Sequence, residues 1–159
     1  MPPSVTHLAV DFERDDLATL LAGAVDLRRP VLFWWLGVTP YLTLDAITAT
    51  LTTLAAQPHT AAVLDHAVPD AHASALTRAR EAQRAARVAA VGEPWVTRIS
   101  PDDLAALGLS CGFEHVHRED EAALIRRVLG HRHTREQRVT HLALMTRGWW
   151  VDGAGQPRS

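Results

Sequence analysis

"VLFWWLG", residues 31–37, is an unbroken apolar run closed by glycine. Its length and bulky rings suit a strand buried on both faces, the kind found in parallel sheets covered by helices. Arg29-Pro30 precedes it, and Thr43 is placed to cap a helix over "LDAITATLTTLAAQ" (44–57), with Pro58 just beyond its end. "TAAVLDHAV" (60–68) then predicts a second buried strand, finishing at an acid and a histidine.

The same alternation extends in both directions. Upstream, "THLAVDF" (6–12) reads as a short strand ending at Asp11, and "RDDLATLLAGA" (14–24) as a helix with acids in its first turn and Gly23 near its end. Downstream, an alanine- and arginine-rich helix covers 71–91 and stops at Gly92. "ISPDDLAAL" (99–107) opens another helix, with Ser100 as cap and Pro101 in the first position. A strand over 112–119, a helix over 120–130 and a last strand over 138–147 complete the series. Strands alternating with helices predict an α/β fold, a mostly parallel sheet with helices on both faces. Ligands of such sheets gather at the carboxyl ends of the strands, which assigns Asp11, Gly37, Asp65 and His66 to one edge.

Composition narrows the function. With 47% apolar and 21% charged residues, the 159-residue chain has the balance of an ordinary globular domain. A net charge of −2 provides no field to draw in DNA or an anionic membrane. All sixteen basic residues are arginine. Arg80, Arg84 and Arg87, flanked by Glu81 and Glu93, read as a solvated helix face, and no aromatic residues interleave with them as in a nucleic-acid surface. Cys111 is the single cysteine, which excludes an internal disulfide, and it reads as a small buried residue. His115-x-His117 and His131-x-His133 lack an HExxH frame and a carboxylate set, so no metal site is expected. No apolar stretch approaches the roughly 20 residues that cross a bilayer. The N-terminus has no basic-then-apolar signal, and a cytoplasmic protein without membrane or nucleic-acid partners is expected.

Trp34 and Trp35 point to opposite faces of their strand and cannot form one stacking platform. Each is expected to pack beneath helices on its own face, where burying about 150–250 Å² of ring is worth roughly 4–6 kcal/mol. Asp11 has two readings. A strand-end carboxylate can accept from the exocyclic amino group of adenine while the Phe12 backbone N–H donates to a ring nitrogen. It can equally cap the turn that follows.

Four stretches taken together resemble the leucine carboxyl methyltransferase-like group of S-adenosylmethionine-dependent methyltransferases: "HLAVDFERDDL", "RRPVLFWWLGVTPYLT", "GEPWVTRISPDDLAALGLSCGF" and "THLALMTR". They run in order from about residue 6 to residue 147. The resemblance implies a partial Rossmann-like class I methyltransferase sheet, its last strand antiparallel and inserted between the two before it. It implies S-adenosyl-L-methionine as cofactor, with Asp11 and Phe12 at the adenine and Leu36 and Gly37 bordering the methionine end. Tyr41 and His66 would face the substrate, a small-molecule or carboxylate-bearing methyl acceptor. Some members of the group carry glutamate where this chain has Leu36, and leucine offers no acceptor to the cofactor's amino group. No catalytic residue is nominated beyond His66 as a candidate base, because orientation and proximity suffice for in-line methyl transfer.

The glycine-rich turn and ribose-binding acid that open such a sheet have no counterpart here; the one Gly-x-Gly, Gly153-Ala-Gly155, lies in a polar tail. Residues 1–148 therefore read as the C-terminal portion of a methyltransferase domain, lacking its first two strands, and 149–159 as a flexible tail. A truncated product, a misassigned start or a completing second chain would each account for this. A non-catalytic or partner-dependent module of the same ancestry is the alternative, and an unrelated nucleotide-binding α/β domain the third reading. Strand 31–36 would be an apolar edge, from which self-association is expected.

Overall fold

The computed structural model describes residues 5–69, 75–120, 123–124, 127–128 and 140–148. Its four strands are β1 (Val31–Trp35), β2 (Thr60–Ala67), β3 (His115–Asp120) and β4 (Thr140–Arg147). β1 pairs with β2 in parallel, from Val31 opposite Thr60 to Trp35 opposite Leu64. β4 lies between β2 and β3, antiparallel to both, giving the order β1-β2-β4-β3. Three strands thus run one way and the last is inserted against them, as the family resemblance implies.

Helix ends follow the local chemistry. α1 (Leu17–Ala24) is capped by Asp16, whose carboxylate accepts from the N–H groups of Ala18 and Thr19. α2 (Leu44–Ala55) starts at Thr43, whose Oγ1 accepts from the Ala46 N–H at 3.2 Å. α3 (Ala75–Ala90) gives way to Gly92 in the left-handed region, φ +89°. α4 (Pro101–Ser110) has Ser100 accepting from the Asp103 N–H and Pro101 in the first turn.

The core lies on one face of the sheet. Ile47, Leu51 and Leu54 of α2 and Leu104 of α4 pack with Trp35, Ala62, Leu64, Ala143 and Met145 from the strands. α4 approaches so closely that a Cβ on Gly108 would stand 2.8 Å from Met145 Sδ and 3.0 Å from Val116 Cγ2. Cys111 follows α4 and is half-buried, with its thiol directed at the Thr48 carbonyl.

Several expectations need correction. Residues 6–12 form no strand: a strand exists by pairing, and this segment joins no sheet. Trp35 is buried at 7% exposure, but Trp34 is 68% exposed, because α2 packs on the Phe33–Trp35 face and Trp34 points the other way with Leu32. The side of α3 bearing the arginines is not wholly solvated either. Glu81 is buried and paired with Arg84 at 3.1 Å. His131, His133, the predicted tail 149–159 and most of the predicted helix 120–130 lie outside the described residues.

Candidate functional site

The carboxyl end of β1 collects most of the residues that the sequence singles out. Asp11 opens a tight turn: its carbonyl accepts from Arg14 and Asp15, and its Oδ1 accepts from the Glu13 N–H at 3.0 Å. Its own N–H donates to Asp15 Oδ2 at 2.8 Å. The carboxylate caps the turn, as one of its two readings expects, and stays half-exposed beside Arg14. The Phe12 ring packs against Trp35, centroids 5.7 Å apart and planes tilted by 39°.

Glu13 ties this turn to α2. Its Oε1 accepts from the Thr43 N–H at 2.7 Å and its Oε2 from the Thr43 hydroxyl at 2.9 Å. A carboxylate suits that place, where the first N–H groups of the helix lack partners and the helix dipole is positive. The sequence reading missed Glu13. Its signal is an acid two residues past Asp11, but nothing local points to a partner thirty residues away.

Beyond β1 the chain turns through Gly37, φ +73°, a conformation that L side chains rarely adopt. The Gly37 N–H donates to Asp65 Oδ1 at 2.7 Å, and the Thr39 hydroxyl donates to the Asp65 carbonyl. A 3-10 turn (Thr39–Tyr41) follows, and the Pro40 carbonyl accepts from Val96 and Thr97. Leu36 is partly exposed and Tyr41 half-buried. Asp11, Phe12, Leu36, Gly37 and Tyr41 thus lie on two segments joined by the Phe12–Trp35 and Glu13–Thr43 contacts. Beside them is an apolar hollow of about 230 Å³ between residues 8–12, α1, α2 and the β1 strand. Phe12, Phe33 and Trp35 line it, so it can take a flat or apolar group and offers no charge.

His66 stands apart from this assembly. Neighbours on a strand face opposite ways, and while Asp65 turns to Gly37, His66 turns inward. It is 1% exposed, with Nδ1 3.0 Å from the Ile99 carbonyl and its ring 5.8 Å from that of His141. Burial pushes its pKa down to about 4, against the Ile99 hydrogen bond, with His141 lowering it further. The buried Nε2 has no partner. A neutral imidazole enclosed by core atoms cannot reach an acceptor at the carboxyl edge.

The family model for leucine carboxyl methyltransferases matches residues 1–55. Residues 1–55 carry that family's pattern. They include Asp11, Phe12, Leu36, Gly37 and Tyr41, and thus both segments of the site. No curated protein matches the chain significantly. Among solved structures, a DUF574 family protein from Streptomyces avermitilis aligns with a TM-score of 0.55 at 16% identity, over 82% of this chain and 51% of that one. A "possible exported protein" from Bordetella parapertussis aligns with a TM-score of 0.53 at 14% identity, over 82% of this chain and 48% of that one. At these identities the likeness is one of fold. The chain spans about half the length of these two structures. The reversed β4 between β2 and β3 is the placement that the resemblance noted in the sequence implies for the last strand. No helix among the described residues is long and apolar enough to cross a membrane.

Proposed function

We propose that this chain forms the adenine-side and acceptor-side walls of an S-adenosylmethionine-dependent methyl transfer site. One observation carries the reading: the structure brings the Asp11–Glu13 turn to the carboxyl end of β1, through Phe12 on Trp35 and Glu13 on Thr43. The family match covers these same two segments.

The residues present suit the cofactor in part. The half-exposed Asp11 carboxylate is an acceptor for the adenine amino group, and the apolar hollow suits the face of its ring. Leu36 has no acceptor for the amino group of the methionine end, but Asp65 brings a carboxylate from β2 to the adjoining Gly37. When bound, the cofactor supplies a sulfonium methyl group. This chain would hold the adenine end at Asp11 and Phe12. Leu36, Gly37 and Tyr41 would shape the wall along which a carboxylate, hydroxyl or amine approaches in line with the departing sulfur. Positioning and exclusion of water supply the rate, and His66 takes no part. A partner-dependent module of the same ancestry is the second reading, favoured by the exposure of Leu32 and Trp34 on β1.

The chain alone should bind S-adenosylmethionine weakly or not at all. With a glycine-rich N-terminal half supplied, Asp11→Ala should weaken binding by about 1–3 kcal/mol, the usual cost of losing a buried hydrogen-bond partner. Asp11→Asn keeps the oxygen that receives the Glu13 N–H, and so separates loss of the turn from loss of charge. Equilibrium titration of the three proteins checks this. Equal affinity in wild type and Asp11→Ala would remove the adenine assignment.

A further inference from the structure

β1 is the outer strand of the sheet among the described residues, and only β2 pairs with it. The Val31 N–H donates to the His59 carbonyl at 3.0 Å, so Val31, Phe33 and Trp35 turn their backbone groups toward β2. By alternation, Leu32 and Trp34 turn theirs to the outer edge. Their side chains are 53% and 68% exposed on one face, and Leu36 follows at 37%. Charge does not guard this edge: residues 31–36 carry none, and the chain contains no lysine.

We infer that two copies of this chain pair edge to edge through β1, antiparallel, about a two-fold axis at Phe33. That register is self-complementary. Leu32 lies opposite Trp34 of the second copy and Trp34 opposite its Leu32, and each pair exchanges both N–H···O=C bonds. On the exposed face the same pairing sets leucine against tryptophan twice, a favourable cross-strand contact. Pro30, which has no N–H, ends the ladder at either side.

Charge selects the antiparallel direction. Exposed Arg28 and Arg29 precede β1, with Arg28 already paired to Asp26. The acidic turn Asp11–Asp15 is held at the other end of β1 by the Phe12–Trp35 contact. Antiparallel pairing brings the basic end of each copy to the acidic end of the other, whereas a parallel arrangement aligns like with like. A docked helix would cover Leu32 and Trp34 but leave the edge N–H groups without acceptors, so a strand is the better occupant.

The inference goes beyond the methyl transfer reading and stands without it. Sedimentation equilibrium of the full 159-residue chain over a range of concentrations should show a dimer. Leu32→Lys and Trp34→Lys should each raise its dissociation constant by roughly tenfold or more, with the circular dichroism spectrum unchanged because both side chains are exposed. In a Cys111→Ser background, the double variant Leu32→Cys, Trp34→Cys should form an interchain disulfide on mild oxidation. A concentration-independent monomer, or a dimer that survives both lysine substitutions, would overturn the pairing. A dimer that dissociates with lysine but does not cross-link would overturn the register.

Discussion

Trp35→Ala is expected to cost about 3–5 kcal/mol of folding stability, and Trp34→Ala less than about 0.5 kcal/mol, although the two residues are chemically identical neighbours. Trp35 sits in the core against Phe12 and beside α2, at 7% exposure, so truncation leaves a cavity that the sheet cannot close. Trp34 points from the uncovered face and loses little when truncated in an isolated copy. Urea denaturation, at concentrations low enough to keep the chain monomeric, gives both values. The buried Nε1 of Trp35 has no acceptor, so Trp35→Phe should cost much less than Trp35→Ala. Equal losses from the two alanine variants would mean that a second layer covers the outer face.

Acid should destabilise the protein through His66. Its folded-state pKa is about 4, against an ordinary value of 6.5. As pH falls below 6.5 the unfolded chain takes up this proton, while the folded chain does not until about pH 4. The contribution is therefore complete above pH 6.5 and is lost progressively down to about pH 4, a total of roughly 3 kcal/mol. Denaturation curves at closely spaced pH values should show this slope, and His66→Gln should flatten it in that window. An unchanged slope in the variant would place the titrating group elsewhere.

The helix starts could be read from the sequence because they rest on local chemistry, whereas the place of the last strand came only from the family resemblance. Thr43, Ser100 and Pro101 announce their helices wherever the chain goes, and the apolar runs at 31–37 and 60–68 pair as their composition demands. Segment 6–12 shows the limit. Its alternation is strand-like, but pairing is a property of two segments, and the described residues give it no neighbour. Trp34 and Trp35 show the same limit in the other direction. Alternation assigns them to opposite faces, yet whether each face is covered depends on where α2 and α4 pack. In the candidate site, Gly37 was legible as a strand-end residue, whereas Asp11 stands at the start of a turn with no strand before it. Glu13 was not legible, because its role lies in a contact with Thr43 across thirty residues. His66 was misread because a strand-end histidine belongs to the edge or to the core according to one step of register, and its ring faces Ile99 and His141.

The most direct test of the proposed site is a titration of the isotope-labelled chain, with a glycine-rich N-terminal half supplied, against S-adenosylmethionine, following each backbone amide by NMR. The amides of Phe12, Glu13 and Gly37 should shift together along one saturable curve. Asp11→Ala should move that curve to higher ligand concentration while leaving the amides of β4 where they are. Unperturbed amides at 11–13 and 36–43 up to millimolar ligand, or a response centred elsewhere on the chain, would contradict the account.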